Sequence, residues 1–345
     1  MKVRRQGGWE ISRISRLMKP PIPELPNIHD SARLVTDRTH FPRLEHGAPH
    51  LVARKEKPAE YPPRGEVPEQ TGADYKPIYY VSPKVSSGPP WAEPVDFEAA
   101  LKLRAERIGL STESLGTREL ARLFPSYETP VFVNGKPHNP RGVTGITGQG
   151  VLGKHGENTA ADPIVFRRWV SPQDGHQRLQ MIAIRRSDNG MWAIPGGMTD
   201  FGESVSETLG RELREEALGE SVTQEQAWRF DRCFKELFEE KGTLVYQGVV
   251  DDFRNTDTYW MASKVVMVEL EDSDAERLGW DMSLVAGDDA TQAEWMEVTR
   301  ENLSRMNANH GEFVAKAVQL WQKRCGLVLR DDAVIGRAPG ESESP

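Results

Sequence analysis

Three glutamates crowded onto a short helix just after a Gly-Gly turn constrain this chain more than any other feature. Gly197-Met198-Thr199-Asp200-Phe201-Gly202-Glu203 leads into Arg211-Glu212-Leu213-Arg214-Glu215-Glu216. The order is G-x5-E-x7-R-E-U-x-E-E, with U a bulky aliphatic residue. From Ser204 to Ala217 there is neither proline nor a β-branched run, and Ser204 or Ser206 can cap the start of a helix. Val205, Leu209 and Leu213 then form one apolar stripe facing a core. At about 100° per residue, Glu212, Glu215 and Glu216 share an arc that overlaps the edge of that stripe. Like charges at this spacing repel, and at the edge of a buried face they are costly without a cation. Carboxylate oxygens are the ligands Mg²⁺ prefers, with substrate phosphate and water completing its shell. Arg211 is expected to grip Glu203 with two parallel hydrogen bonds, tying the Gly-Gly loop to the helix. A merely solvated acidic face would require spacing, turn and flanks to coincide by accident.

The remaining composition narrows the function classes. The chain has 345 residues, room for two modest domains, and a net charge of −8. An acidic chain without a basic stripe is not expected to bind nucleic acid. No apolar run approaches membrane-spanning length, so membrane insertion is not expected either. Cys233 and Cys325 show neither metal-ligand spacing nor a disulfide framework. Residues 1–19 carry Lys2, Arg4, Arg5, Arg13, Arg16 and Lys19 against one acid, Glu10. That composition fits a mitochondrial transit peptide and an ordinary tail equally, which leaves a cytoplasmic or a mitochondrial location open.

Proline and charge without apolar periodicity mark residues 1–67 as an extended, weakly ordered arm. Residues 68–160 are expected to form a small mixed N-terminal domain. It has a strand near 77–81, helical sequence over 97–124 with 117–123 separate, and a glycine-rich segment after Asn134. Within that segment, Gly148-Gln149-Gly150-Val151-Leu152-Gly153-Lys154-His155 approaches a phosphate-binding P-loop. It fails at His155, where a hydroxyl should bind Mg²⁺, and is read as a structured linker. Residues 161–330 are expected to be the catalytic domain: an α/β fold, a mixed β-sheet sandwiched between helices. Its strands are placed at 164–166, 179–185, 243–250, 263–270 and 293–298, its helices at 204–218, 221–241 and 312–325. Residues 331–345 are expected to be a disordered tail.

The glutamate motif resembles the signature of the Nudix hydrolases, which cleave nucleoside diphosphates linked to another group. It departs at the end, where Ala217-Leu218-Gly219 replaces the family's x-G-U. Further segments resemble the ADP-ribose pyrophosphatase branch and the homologous C-terminal domain of melastatin-type TRP channels. They include Trp192 to Met198, Ala160-Ala161-Asp162-Pro163-Ile164, Asp251-Asp252-Phe253-Arg254-Asn255-Thr256-Asp257 and Ala286-Gly287-Asp288-Asp289-Ala290. The resemblance implies Mg²⁺-dependent hydrolysis (Mn²⁺ as the alternative ion) of a small nucleotide, ADP-ribose, to AMP and ribose 5-phosphate. It implies Glu212, Glu215 and Glu216 as metal ligands and catalytic residues together with Glu203 and Arg211. One of the glutamates, or Asp288-Asp289, would take the proton of the attacking water. Asp252, Arg254 and Asn309 become substrate contacts, while Asn307 stands where the family carries a tyrosine. Two other readings stay open: an ADP-ribose sensor without catalysis, and an enzyme for a different nucleoside diphosphate sugar.

Overall fold

The computed structural model describes residues 33–35, 61–64, 75–113, 115–200, 203–217, 223–250, 252–287 and 290–337. In the N-terminal part, β1 (Arg33–Val35) and β2 (Ile78–Val81) precede three helices: α1 (Pro83–Ser86), α2 (Phe97–Arg107) and α3 (Thr117–Leu123). Helix α2 starts where the Asp96 carboxylate accepts the Ala99 N–H at 2.9 Å. It stops before Gly109, whose φ of +65° suits glycine. Two helices therefore replace one over 97–124, as the sequence allowed. Phe97, Leu101, Ala105, Leu120, Leu123 and Phe124 bury a small core around Phe132. Strand β3 (Val131–Val133) pairs parallel with β1 and antiparallel with β4 (Lys136–His138). Strand β5 (Ile146–Gly150) runs parallel to β2. The P-loop-like stretch is thus the end of a strand followed by a turn into another strand, with no helix to receive phosphate.

The C-terminal part is one mixed sheet of β6 (Gly156–Val170), β7 (Gln177–Arg186), β8 (Trp192–Ala193), β9 (Gly197–Met198), β10 (Thr243–Val249), β11 (Tyr259–Leu270) and β12 (Ala290–Glu297). Its main order is β10-β11-β6-β7-β12, with β6 and β11 parallel. Period-two alternation sends the two faces to different helices. Ile164, Phe166, Leu179, Met181, Val265 and Met267 face one side. Ala161, Val165, Ile182, Val266, Val268 and Leu270 face the other. The second face is covered by α4 (Val205–Ala217) and α5 (Gln224–Lys241). Past the short helices α6 (Asp272–Leu278) and α7 (Arg300–Ser304), α8 (His310–Cys325) covers the first. With both faces covered, the central strands read as nearly unbroken apolar runs.

Two expectations need correction. The arm drawn over residues 1–67 is not weakly ordered throughout. Tyr61 is buried at 3% exposure, and Arg64 donates to three backbone carbonyls of the folded body. The tail drawn from residue 331 includes a strand, β14 (Ile335–Arg337), which closes a hairpin with β13 (Leu327–Leu329). Short segments without apolar periodicity still order when their own side chains meet unpaired carbonyls of the body, as Arg64 does, or when backbone pairing and a few buried residues such as Ala333 and Val334 fix them. The basic stretch 1–19 lies outside the described residues. No described helix is long and apolar enough to cross a membrane.

Candidate active site

Strand β9 pairs with Ala160 and Ala161 of β6, which lays the Gly-Gly turn against the sheet in front of α4. Helix α4 opens with a reciprocal cap: the Ser204 N–H donates to the Glu207 carboxylate at 2.8 Å, and the Glu207 N–H donates to the Ser204 hydroxyl at 3.4 Å. Its last carbonyls are satisfied from a distant loop, since Gly287 N–H donates to Glu216 O and Val285 N–H to Ala217 O. That loop supplies the helix exit for which the family's x-G-U is absent.

Leu209, Leu213 and Ala217 anchor α4 to the sheet, which leaves Glu212 and Glu216 at the edge of the buried stripe. Both are 8% exposed. Glu216 Oε2 accepts the Gly196 N–H at 2.8 Å. Glu212 lies over Gly197, filling the space a Cβ would occupy there. Arg211 does what the spacing predicts. It holds Glu203 through Nε at 2.8 Å and Nη2 at 2.9 Å, and donates to Met198 O at 3.0 Å. It also pairs with Glu212 at 2.7 Å and with Glu215 at 3.0 Å.

The three box glutamates do not converge. Among the described residues no group of three acidic, histidine or cysteine side chains is arranged around a common metal position. Glu215, with a side chain 45% exposed, turns to Arg211 and Arg214 instead. The reason is local: two guanidiniums lie within its reach, one of them four residues back on the same helix. Glu212 and Glu216 are the pair that faces inward. Burial pushes Glu212 up to about 7 and Glu216 up to about 8; hydrogen bonds and Arg211 only partly oppose this. Glu212 Oε2 and Glu216 Oε1 accept no hydrogen bond from a described residue. Two buried carboxylates with bare oxygens and a penalty on their charge form a donor set that suits a hard divalent cation.

A second group of polar residues lies nearby, since the charge of Arg186 acts on Glu216 as well as on Asp252 and His310. Asp252 and Arg254 form a two-point pair at 2.8 and 2.7 Å, and Arg254 N–H also donates to Asp252. Burial opposes the Asp252 charge, but Arg254 outweighs it and holds the carboxyl below its usual range. Asn309 starts α8 without using its side chain as a cap, so its amide is not consumed by the helix. His310 Nδ1 accepts the Ile194 N–H at 3.1 Å, which places its ring proton on Nε2. Burial, reinforced by Arg186, pushes His310 down to about 4 and keeps it neutral. Trp192 packs partly buried against the core rather than standing free to stack on a base.

Three residues of the site escaped the sequence reading. Arg186, at the end of β7, pairs with Asp188 at 2.9 and 2.8 Å, and its charge acts on Glu216, Asp162, Asp252 and His310. Asp162 lies buried beneath Gly196, accepts the Ser263 hydroxyl, and is pushed by burial up to about 6. Lys154 donates to Thr199 O at 2.9 Å, reaching the Gly-Gly loop from the linker. A lone Arg at a strand end gives no periodic signal. Asp162 does lie in one of the resembling segments. Asp288 and Asp289 lie outside the described residues. A separate cleft of about 460 Å³ between Phe97, Lys136, His155 and Tyr259 contains none of these groups.

A NUDIX domain matches residues 163–317, and a NUDT9-like N-terminal domain matches residues 68–156. The chain is 35% identical over 266 residues to the mitochondrial ADP-ribose pyrophosphatase of Rattus norvegicus, covering 73% of this chain and 72% of the relative. It is 37% identical to putative nudix hydrolase 6 of Caenorhabditis elegans, covering 71% and 84% respectively. It is 40% identical over 235 residues to a TRP cation channel subfamily M member-like 2 of Nematostella vectensis, but covers only 14% of that protein.

Proposed function

The chain belongs to the Nudix hydrolase family, and on that premise we propose that it hydrolyses ADP-ribose to AMP and ribose 5-phosphate. The observation that carries this reading is two buried carboxylates, Glu212 and Glu216, within electrostatic reach of Arg186, whose charge also acts on Arg254 and Asp252. The carboxylates suit a cation and the guanidiniums suit phosphate, the complement of a nucleoside diphosphate.

Glu212 and Glu216 would hold Mg²⁺ or Mn²⁺, with Glu215 joining after turning away from Arg211 and Arg214. The ion would neutralise the diphosphate and lower the pKa of bound water. In the reaction a water oxygen bonds to one phosphorus, the bridging P–O bond breaks, and the departing phosphate keeps the bridging oxygen. A carboxylate of the box takes the water's proton. Arg211 holds Glu203 and the Met198 carbonyl, fixing the loop over which this occurs. Asp252 and Arg254 bind the ribose hydroxyls and phosphate, and Asn309 offers a further polar contact. His310 supplies a fixed Nε2–H donor.

The test is direct. Protein, Mg²⁺ and ADP-ribose should give AMP and ribose 5-phosphate in equal amounts, and a Glu215→Gln, Glu216→Gln variant should fold yet release none. Tight binding without product would identify a sensor, and faster turnover of another nucleoside diphosphate sugar would reassign the substrate. The retention of Arg211, Glu212, Glu215 and Glu216 together favours the enzyme.

A further inference from the structure

We infer that Tyr61 and Arg64, in the arm ahead of both family-matched regions, are positioning residues that hold the substrate loop at Arg254. The inference rests on the reading of Arg254 as a substrate contact.

The loop from Asp252 to Asp257 folds tightly on itself. Asn255 is 1% exposed; its side chain donates to Val250 O at 2.8 Å and accepts the Met261 N–H at 2.7 Å. Asn255 N–H donates to Asp252 O, so the turn's inner groups are used within the loop. Its outward carbonyls are not. Three successive ones, those of Phe253, Arg254 and Asn255, face the arm, and the arm satisfies all three. Arg64 Nη2 donates to Phe253 O at 2.6 Å and to Asn255 O at 2.9 Å. The Tyr61 hydroxyl donates to Arg254 O at 3.1 Å. Buried carbonyls without donors are costly, so this loop conformation depends on the arm.

The arm is itself anchored to the linker rather than to the loop alone. The Tyr61 hydroxyl accepts the Val151 N–H at 3.0 Å, and Arg64 Nη1 donates to Thr144 O at 3.2 Å. Gly150 makes the approach feasible, because a Cβ there would collide with the Tyr61 hydroxyl. Its φ of +58° disfavours other residues as well. The Tyr61 ring packs against Tyr80 with centroids 5.1 Å apart. Pro62 and Pro63 between the two anchors restrict the chain, which lowers the entropy lost on docking. The strap thus spans linker and substrate loop, and fixes where the Asp252–Arg254 pair projects.

The experiment compares Tyr61→Phe with Arg64→Gln, the double variant, and each in an Arg254→Gln background. Tyr61→Phe keeps the ring and loses only the hydroxyl, so folding is preserved. The double variant should raise KM for ADP-ribose roughly 10- to 100-fold, with a smaller change in kcat and an unchanged Mg²⁺ requirement. In the Arg254→Gln background it should raise KM by less than about 3-fold, because both act through one contact. Full additivity of the two effects, or a wild-type KM in the double variant, would overturn the inference. Amide exchange in the peptide over residues 252–257 should quicken in the double variant without substrate. That readout tests the strap even if wild-type protein releases no AMP, an outcome that would sink only the substrate assignment; unaltered exchange would sink the strap.

Discussion

The Glu212 carboxylate occupies the position that a side chain on Gly197 would need. The Gly-Gly turn is therefore a matter of space: helix and loop approach until only hydrogen fits between them. Gly197→Ala should keep the sheet and helices, as seen by circular dichroism, while displacing Glu212. AMP release at saturating substrate should fall roughly 100-fold, and the Mg²⁺ concentration giving half-maximal rate should rise.

The inward glutamates give the metal-free protein a pH dependence whose sign can be worked out. Folding raises Glu212 to about 7 and Glu216 to about 8 from an ordinary 4.5. The folded state thus favours their protonated forms. Their contribution to stability is complete below the ordinary value and is lost as pH rises through 7 to 8. In chelator the melting temperature should fall by several degrees between pH 5 and pH 9. Glu216→Gln should flatten that slope, and added Mg²⁺ should restore stability at high pH. Melting curves across pH, with and without Mg²⁺, check all three.

Arg186 pairs with Asp188 at the rim, with side chains 35% and 54% exposed, so the pair contributes little to stability. Its value lies in its charge, which acts on Arg254, Glu216 and Asp252. Arg186→Gln should leave the melting temperature within about 2 °C while raising KM for ADP-ribose roughly 10-fold. Steady-state kinetics beside a melting curve separate the two effects.

Lys154 holds the Thr199 carbonyl, and burial pushes its ammonium down from the usual lysine range. Its own backbone is fixed by Asn158, which accepts the Lys154 N–H at 2.9 Å and donates to Lys154 O at 2.7 Å. Lys154→Met should lower kcat about 10-fold by loosening the loop ahead of Glu203, with KM nearly unchanged. Lys154→Arg, which retains a donor, should recover most of the rate in the same assay.

The local chemistry was legible in the sequence because it is helical. Residues 211–216 are separated by fixed rotations, so the grouping of Glu212, Glu215 and Glu216 on one arc at the edge of an apolar stripe followed from spacing, and the Arg211–Glu203 clamp was expected from the same stretch. The mixed sheet between helices followed from alternating strands and periodic helices in the same way. Glu215 shows where this stops: rotation placed it beside its neighbours, but Arg211 and Arg214 decided its rotamer. Arg186, Asp162, Lys154 and the Tyr61–Arg64 strap arise from contacts between residues tens to hundreds of positions apart. No periodic pattern encodes such pairs, since they depend on which buried carbonyl or charge lacks a partner once the chain has closed. The sequence by itself determined the helix, its acids and the family. Only the tertiary structure decided which acids face inward and what braces the loop opposite them.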